Sequence, residues 1–275
     1  MVRKGTPIET YILEGKEILV KREDLAAFPP LPPFSKVRGL FKVLKRLRGV
    51  PAIGYTETSI SMAGVGVAEG CKEFGIPCVI YNPVYMNPNK TLILHRKRWK
   101  EAGAKIVDIK AGRAKVNFYL SRRMLREEFG KKAVMLPLGL PFEDTIKETS
   151  WEVKRLPINY RSVVVNVGSG TICAGLLRGF RKTDIPIYGI MGRTGSIKRK
   201  RDEILRRSQV IKTGLLKEGG SFSLIDPGYE YTEKVSFPCP FPSSPEYDMK
   251  ALRWLLDNYD SLEKPVLFWN IGGSI

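Results

Sequence analysis

The spacing of apolar positions switches repeatedly between two patterns, and the switches predict alternating strands and helices. Residues 162–167 (SVVVNV) are a β-branched run, as expected of a strand buried on both faces. A Gly-rich turn and a helix over 172–182 follow, then a strand over 186–191 and a basic helix over 196–207. The same alternation runs upstream. Strands are predicted at 51–55, 77–82, 104–109 and 132–136, and helices at 61–74, 89–102, 112–129 and 142–155. Gly75 and Pro77 close the helix over 61–74. Near the start, residues 11–22 read as two short strands around a Gly turn. Residues 35–48 put Val37, Leu40, Val43, Leu44 and Leu47 on one helical face, with cations opposite. The segment 219–245, rich in Gly, Pro, Ser and aromatics, is expected to be mostly loop. A helix over 246–258 and a strand over 265–270 complete the pattern.

Strands alternating with helices of this length imply βαβ units and parallel sheet covered on both faces, an α/β protein. Ligands of such folds bind at the carboxyl ends of strands, in the turns before helices. The turns at 56–61, 137–141, 168–171 and 271–274 are therefore the places to look for chemistry.

The 275 residues, 43% hydrophobic and 27% charged, suit a globular enzyme-sized protein. No apolar run approaches the ~20 residues of a bilayer span. The opening Met-Val-Arg-Lys-Gly lacks the apolar stretch of a signal peptide, so a cytoplasmic protein without membrane contact is expected. Cys71, Cys78, Cys173 and Cys239 form no C-x-x-C pair, and His95 is the one histidine, which argues against a structural zinc site and for buried free thiols. Charge changes the picture more. Lys plus Arg number 46 against 28 Asp plus Glu, a formal +18. The cations cluster, notably at Arg96, Lys97, Arg98 and Lys100 and at Lys198, Arg199, Lys200 and Arg201. Such an excess attracts polyanions. Arg96, Arg98, Lys100, Lys198, Arg199, Lys200 and Arg201 are thus candidate DNA or RNA contacts, although each cluster alone also fits a solvated basic surface.

Four features could carry chemistry. Lys36 starts an amphipathic helix after a Pro-rich stretch, where burial would lower its pKa and make it a nucleophile; a surface lysine is the plainer alternative. Gly168-Ser169-Gly170-Thr171 lies between the most apolar strand and a helix, the setting of a phosphate cradle or of an ordinary tight turn. Thr58-Ser59-Ile60-Ser61 precedes a helix, where hydroxyls and N–H groups suit a carboxylate, or where Ser61 simply caps the helix. Asn270-Ile271-Gly272-Gly273-Ser274 follows the last strand, where a Gly pair often means only a turn.

In their order along the chain these segments resemble the fold-type II pyridoxal 5'-phosphate (PLP) enzymes. The branch they look most like holds 1-aminocyclopropane-1-carboxylate deaminase and D-cysteine desulfhydrase. Thr6-Pro7-Ile8-Glu9 and VKREDL (20–25) are similar to the family's opening. SKVRGL (35–40) resembles its Asn-Lys-Val-Arg motif, GSGTICAGL (168–176) its phosphate loop, and TSISMAGVGVAEGCKEFGI (58–76) its substrate loop and helix. DPGYEY (226–231), PEYDMKAL (245–252) and VLFWNIGG (266–273) resemble C-terminal family segments. The resemblance implies two open, twisted, mostly parallel α/β lobes with the cofactor between them: residues 1–50 and 150–275 the large PLP-binding lobe, 51–149 the small substrate lobe. It implies PLP in a Schiff base on Lys36, with Gly168, Ser169, Gly170, Thr171 and Asn270 at the cofactor and Thr58, Ser59, Ser61 and Met62 at the substrate. Tyr229 or Ser61 would assist as acid or base, and the enzyme would be a homodimer.

Departures matter too. Thr171-Ile172 stands where Gly-Thr is usual, and Asn270-Ile271 where His-Thr is usual. Asp248, after the Tyr of the C-terminal helix motif, is the candidate partner of the pyridine nitrogen, or else an acid near a helix dipole. The expected activity is carbanion chemistry (elimination, deamination or decarboxylation) on an amino acid. The basic excess leaves open the same chemistry on an amino-acid-modified base in DNA, as in viral DNA hypermodification, or a non-catalytic nucleic-acid-binding relative.

Overall fold

The computed structural model describes residues 2–86, 88–157, 159–210 and 222–273. From the N-terminus it runs β1 (Ile8–Leu13), β2 (Lys16–Arg22), α1 (Val37–Arg46), β3 (Ile53–Thr56), α2 (Ala63–Phe74), β4 (Cys78–Val84), α3 (Lys90–Glu101), β5 (Lys105–Lys110), α4 (Ala114–Phe129) and β6 (Val134–Met135). It continues through α5 (Glu143–Lys154), β7 (Ser162–Val167), α6 (Thr171–Phe180), β8 (Ile187–Met191), α7 (Ile197–Ser208), β9 (Phe222–Ile225), α8 (Asp248–Asn258) and β10 (Val266–Asn270). The chain divides into two compact units. One comprises Met1–Phe28, Pro33–Gly39 and Glu143–Ser274, the other Pro29–Pro32 and Leu40–Phe142.

The first unit is built on a sheet of order β1-β2-β10-β7-β8-β9, antiparallel only between β1 and β2. Its two cores follow from the two-residue period of a strand. Val163, Val165 and Val167 of β7, with Leu267 and Trp269 of β10, face one core, shared with Ile172, Leu176 and Phe180 of α6 and Ile204 of α7. Val164, Val266 and Phe268 face the other, against Leu252, Leu255 and Leu256 of α8. Burial on both faces is why β7 reads as an uninterrupted apolar run. The second unit has a four-stranded parallel sheet, β5-β4-β3-β6, with Val79, Tyr81 and Ile109 packed on Leu125 of α4.

The segment 219–245 is mostly loop in its described part, as expected, but residues 222–225 form strand β9, which pairs parallel to β8 at the sheet edge. Only Phe222 and Leu224 of its four residues are buried, an alternation too short to stand out beside Gly and Ser. Residues 219–221 and Ser274, the last residue of the predicted turn at 271–274, lie outside the described residues. Among the described residues no helix is long and apolar enough to cross a membrane.

The motif VKREDL turns out to be a buried ionic anchor. After β2 the chain makes a single 3-10 turn, Glu23–Leu25, with Glu23 and Asp24 buried. Glu23 accepts from both arms of the Arg38 guanidinium, at 2.6 and 3.0 Å. Arg22 grips Asp24 the same way, at 2.9 and 2.7 Å, and Lys21 meets Glu152 of α5 at 2.9 Å. A buried bidentate pair is strong only while both partners are present. Arg38→Met should therefore strand Glu23 and lower stability by about 3–5 kcal/mol. Chemical unfolding in urea reads this directly, and the doubly substituted Arg38→Met/Glu23→Gln protein should recover part of the loss.

Candidate active site

Lys36 sits immediately before α1, on a segment stitched to the end of β10. Ser35 N donates to Ile271 O at 3.1 Å, Gly273 N donates to Pro33 O at 2.9 Å, and Phe34 and Gly272 form an antiparallel bridge. Two residues on, Arg38 is locked to Glu23. The lysine is thus held from both sides in sequence. Its Nζ donates to Ser169 Oγ at 3.1 Å, which joins the predicted lysine to the predicted Gly-rich turn. The side chain keeps some exposure, yet the amine is surrounded closely enough that burial lowers its pKa to about 8, assisted by the charges of Arg207 and Lys200 and opposed by Asp248.

The Gly168–Thr171 turn leads directly from β7 into α6. Gly170 has φ +78° and caps the helix, and Ser169 Oγ accepts from Thr171 N at 3.4 Å. A Cβ on Gly170 would lie 2.6 Å from Ile204 Cγ1, so both its backbone angle and its neighbour require glycine. Ser169 Oγ lies 2.9 Å from Thr171 Oγ1. Helix N–H groups and two hydroxyls thereby converge at one turn. Ile172, where a hydroxyl is usual, is instead buried in the core behind it.

Asp248 opens α8 and is buried. Its Oδ1 accepts from Ile271 N at 3.1 Å, the same residue whose carbonyl receives Ser35 N. Burial raises its pKa to about 7 against the N–H groups of Ile271 and Gly272; Asp24 adds to the rise and Lys36 opposes it. Lys36 and Asp248 therefore share one electrostatic neighbourhood. Asn270 is close by, but its amide donates to Asp24 Oδ1 at 3.0 Å and Pro242 O at 2.8 Å. Tyr229 is directed elsewhere. After burial, the largest influences on its hydroxyl are Asp257, Glu233 and Arg253, along and beyond α8, and its ring lies under the Lys250 ammonium. The tyrosine at the turn is Tyr247. Its ring would lie 3.9 Å from a Cβ on Gly168, and its hydroxyl is 3.1 Å from that of Tyr231.

Within the second unit, the 58–62 segment joins β3 to α2. Ser61 Oγ accepts from Ala63 N at 3.1 Å, which gives Ser61 the helix-start role, and α2 accordingly begins at Ala63. Thr58 and Met62 are half-buried, and Ser59 is buried with φ +69°, a strained angle for a residue with a side chain. Sequence reasoning passed over Glu57. Its carboxyl accepts from Thr58 N at 2.6 Å and Gly64 N at 3.2 Å, so it occupies donors at the very place expected to receive a carboxylate. Burial outweighs those two bonds and raises its pKa to about 8.

The basic clusters are less uniform than their sequence. Arg96 forms a two-point pair with Asp108, and Arg98 pairs with Glu69 at 3.1 Å, whereas Lys100 is exposed. On α7, Lys198, Arg199 and Arg201 are exposed, whereas Lys200 is half-buried. Among the described residues no cluster of three or more His, Cys, Asp or Glu could hold a metal ion.

The first unit thus offers a low-pKa amine for an aldehyde, a Gly-rich helix start for a phosphate and a buried carboxyl for a ring nitrogen. Ser35 Oγ and Asn270 Oδ1 remain buried without a hydrogen-bond partner among the described residues. These residues fit PLP. A family model described as pyridoxal-phosphate dependent enzyme matches residues 3–215. Over 283 residues the chain is 34% identical to a glycyl-dTMP PLP-dependent decarboxylase of Pseudomonas phage M6, covering 99% of this chain and 100% of that one. An ACC deaminase homologue superposes with TM-score 0.76 at 20% identity, over 98% of this chain and 89% of its own. Serine racemase from Dictyostelium discoideum gives 0.66 at 18%, over 100% and 93%. At such identities these two structures speak for the fold alone. The chain belongs to the pyridoxal-phosphate dependent enzyme family, has the fold-type II architecture, and uses pyridoxal 5'-phosphate as its cofactor.

Proposed function

We propose that this enzyme removes carbon dioxide from an amino-acid group carried on a thymine nucleotide, with Lys36 as the residue that holds the cofactor. The observation that carries the substrate class is the 34% identity, spread over 99% of the chain, to a decarboxylase named for glycyl-dTMP. Of the substrate classes open in the sequence, the nucleotide-borne amino acid is therefore better supported than a free one. Chemistry narrows it further. The cofactor needs a free primary amine, and decarboxylation needs a free carboxylate. A glycyl group with both ends free can be attached only through its α-carbon.

When bound, PLP supplies an electron sink for the pair left on that carbon as carbon dioxide departs. The chain's own residues do the rest. Lys36, neutral above about 8, offers the nucleophilic amine, and Ser169 Oγ orients it at 3.1 Å. With the cofactor bound, the same Nζ would be the group that delivers a proton to the α-carbon. The Gly168–Thr171 turn takes the phosphate, and Asp248 takes the ring nitrogen. Asp248 titrates near 7, so it can share a proton with that nitrogen over the physiological range. Thr58, Ser59, Ser61 and Met62 are assigned to the substrate.

A thymidine bearing an α-linked glycyl group, offered as mononucleotide and within duplex DNA, should lose one carbon dioxide on mass analysis. Free glycine, serine and D-cysteine should be turned over far more slowly; a preference for the free amino acids would sink the assignment. Lys36→Ala should lose the cofactor's visible absorption band and at least ~10²-fold in rate. Lys36 must be neutral to attack, so the rate of cofactor capture by the stripped protein should rise with pH and level off above about 8, as read by stopped-flow absorbance. Asp248→Ala should retain the band yet lower turnover by roughly 10²-fold or more, since it removes the ring nitrogen's partner and leaves the lysine in place.

A further inference from the structure

Helix α7 carries two cations on its inner flank that the proposed chemistry leaves without a role. Lys200 and Arg207 are two helical turns apart, with Ile204 between them in the space a Gly170 side chain would occupy. The Lys200 Cδ would lie 3.8 Å from a Gly170 Cβ, and the Arg207 guanidinium donates to Ser169 O. Glu203 pairs with both, with Lys200 at 2.8 Å and with Arg207 at 2.6 Å. The two side chains are 25% and 18% exposed, so water screens them less than their outward neighbours Lys198, Arg199 and Arg206. Two cations against one carboxylate leave a net positive charge beside the turn. A helix start supplies only about half an elementary charge, which is little for a phosphate dianion held away from bulk water.

We propose that Lys200 and Arg207 form the cationic wall of the cofactor's phosphate subsite, with Glu203 as the positioning residue that holds the pair against the Gly168–Thr171 turn. This takes Lys200 out of the candidate nucleic-acid contacts, because its stem packs inward on the turn while Lys198 and Arg199 face solvent. A second effect fits the same geometry. The two cations help depress the Lys36 pKa, and a bound phosphate would offset part of their field.

The test compares PLP with pyridoxal, which lacks the phosphate, on the full chain stripped of cofactor and titrated by absorbance at a pH well above the Lys36 pKa of each variant, so that loss of the cations' effect on Lys36 does not enter. Lys200→Met and Arg207→Met should each raise the Kd for PLP by roughly 10-fold or more while changing the Kd for pyridoxal by less than about twofold. Lys200→Arg should keep most of the PLP affinity, and Lys198→Met, with the same loss of charge on the outer face, should change neither. Equal losses for PLP and pyridoxal would mean that the two residues merely support the fold, and unchanged PLP affinity would mean that they do not touch the phosphate; either result overturns the assignment. If thermal unfolding shows that Arg207→Met is misfolded, the Lys200→Met and Lys200→Arg pair decides alone. No decarboxylation substrate enters the experiment, so its failure would leave the proposed reaction standing.

Discussion

A two-point ion pair between Arg38 and Glu23, sealed from water, is the constraint on which the site depends. Arg38 lies two residues beyond Lys36 and Glu23 lies directly after β2. The pair ties the lysine's segment to the end of β2, a strand paired on both sides. Neither partner tolerates the loss of the other, because an unpaired buried charge costs several kcal/mol. The neighbouring Arg22–Asp24 pair extends the anchor, since Asp24 also holds the Asn270 amide at the end of β10. The strand that ends at Asn270 in turn supports Ser35 through Ile271. A lysine must be immobile to serve as a reproducible nucleophile, and here immobility comes from salt links on one side and backbone pairing on the other.

The same neighbourhood brings a base and an acid toward a common pH. Burial lowers Lys36 to about 8 and raises Asp248 to about 7. Each is the charged form's penalty seen from opposite signs, and each group partly offsets the penalty of the other. Burial is the larger cause for both, and their mutual attraction is a smaller one. The α7 cations Arg207 and Lys200 add to the bias toward neutral lysine.

Much of this was legible in the chain. Strand and helix order followed from the change of apolar period, and β7 announced itself because both its faces are buried. The 168–171 turn stood out by its place between an apolar strand and a helix, whereas Lys36, a plain surface lysine by local pattern, was singled out by the family resemblance; the structure joins the two by one hydrogen bond. Other features depend on direction, which composition does not carry. Lys198 to Arg201 read as one basic run, yet the helical phase set by Ile204, Leu205 and Ser208 turns Lys200 inward and Lys198 outward. Tyr229 had the right neighbours in sequence, but its ring lies under Lys250. Glu57 was hidden because a single acid after a strand is ordinary. Only the two backbone donors that enclose it reveal its burial.

The empty place at Gly170 has a wider consequence. Ile204 fills it, so the turn and the basic helix interlock as tooth and socket. The inward row of α7 is consequently held to shapes that fit that socket. Its outward row, with Lys198, Arg199 and Arg206, contributes nothing to the interlock and is free to vary. The coat of this helix can therefore be rewritten residue by residue while the mould beneath it stays unchanged.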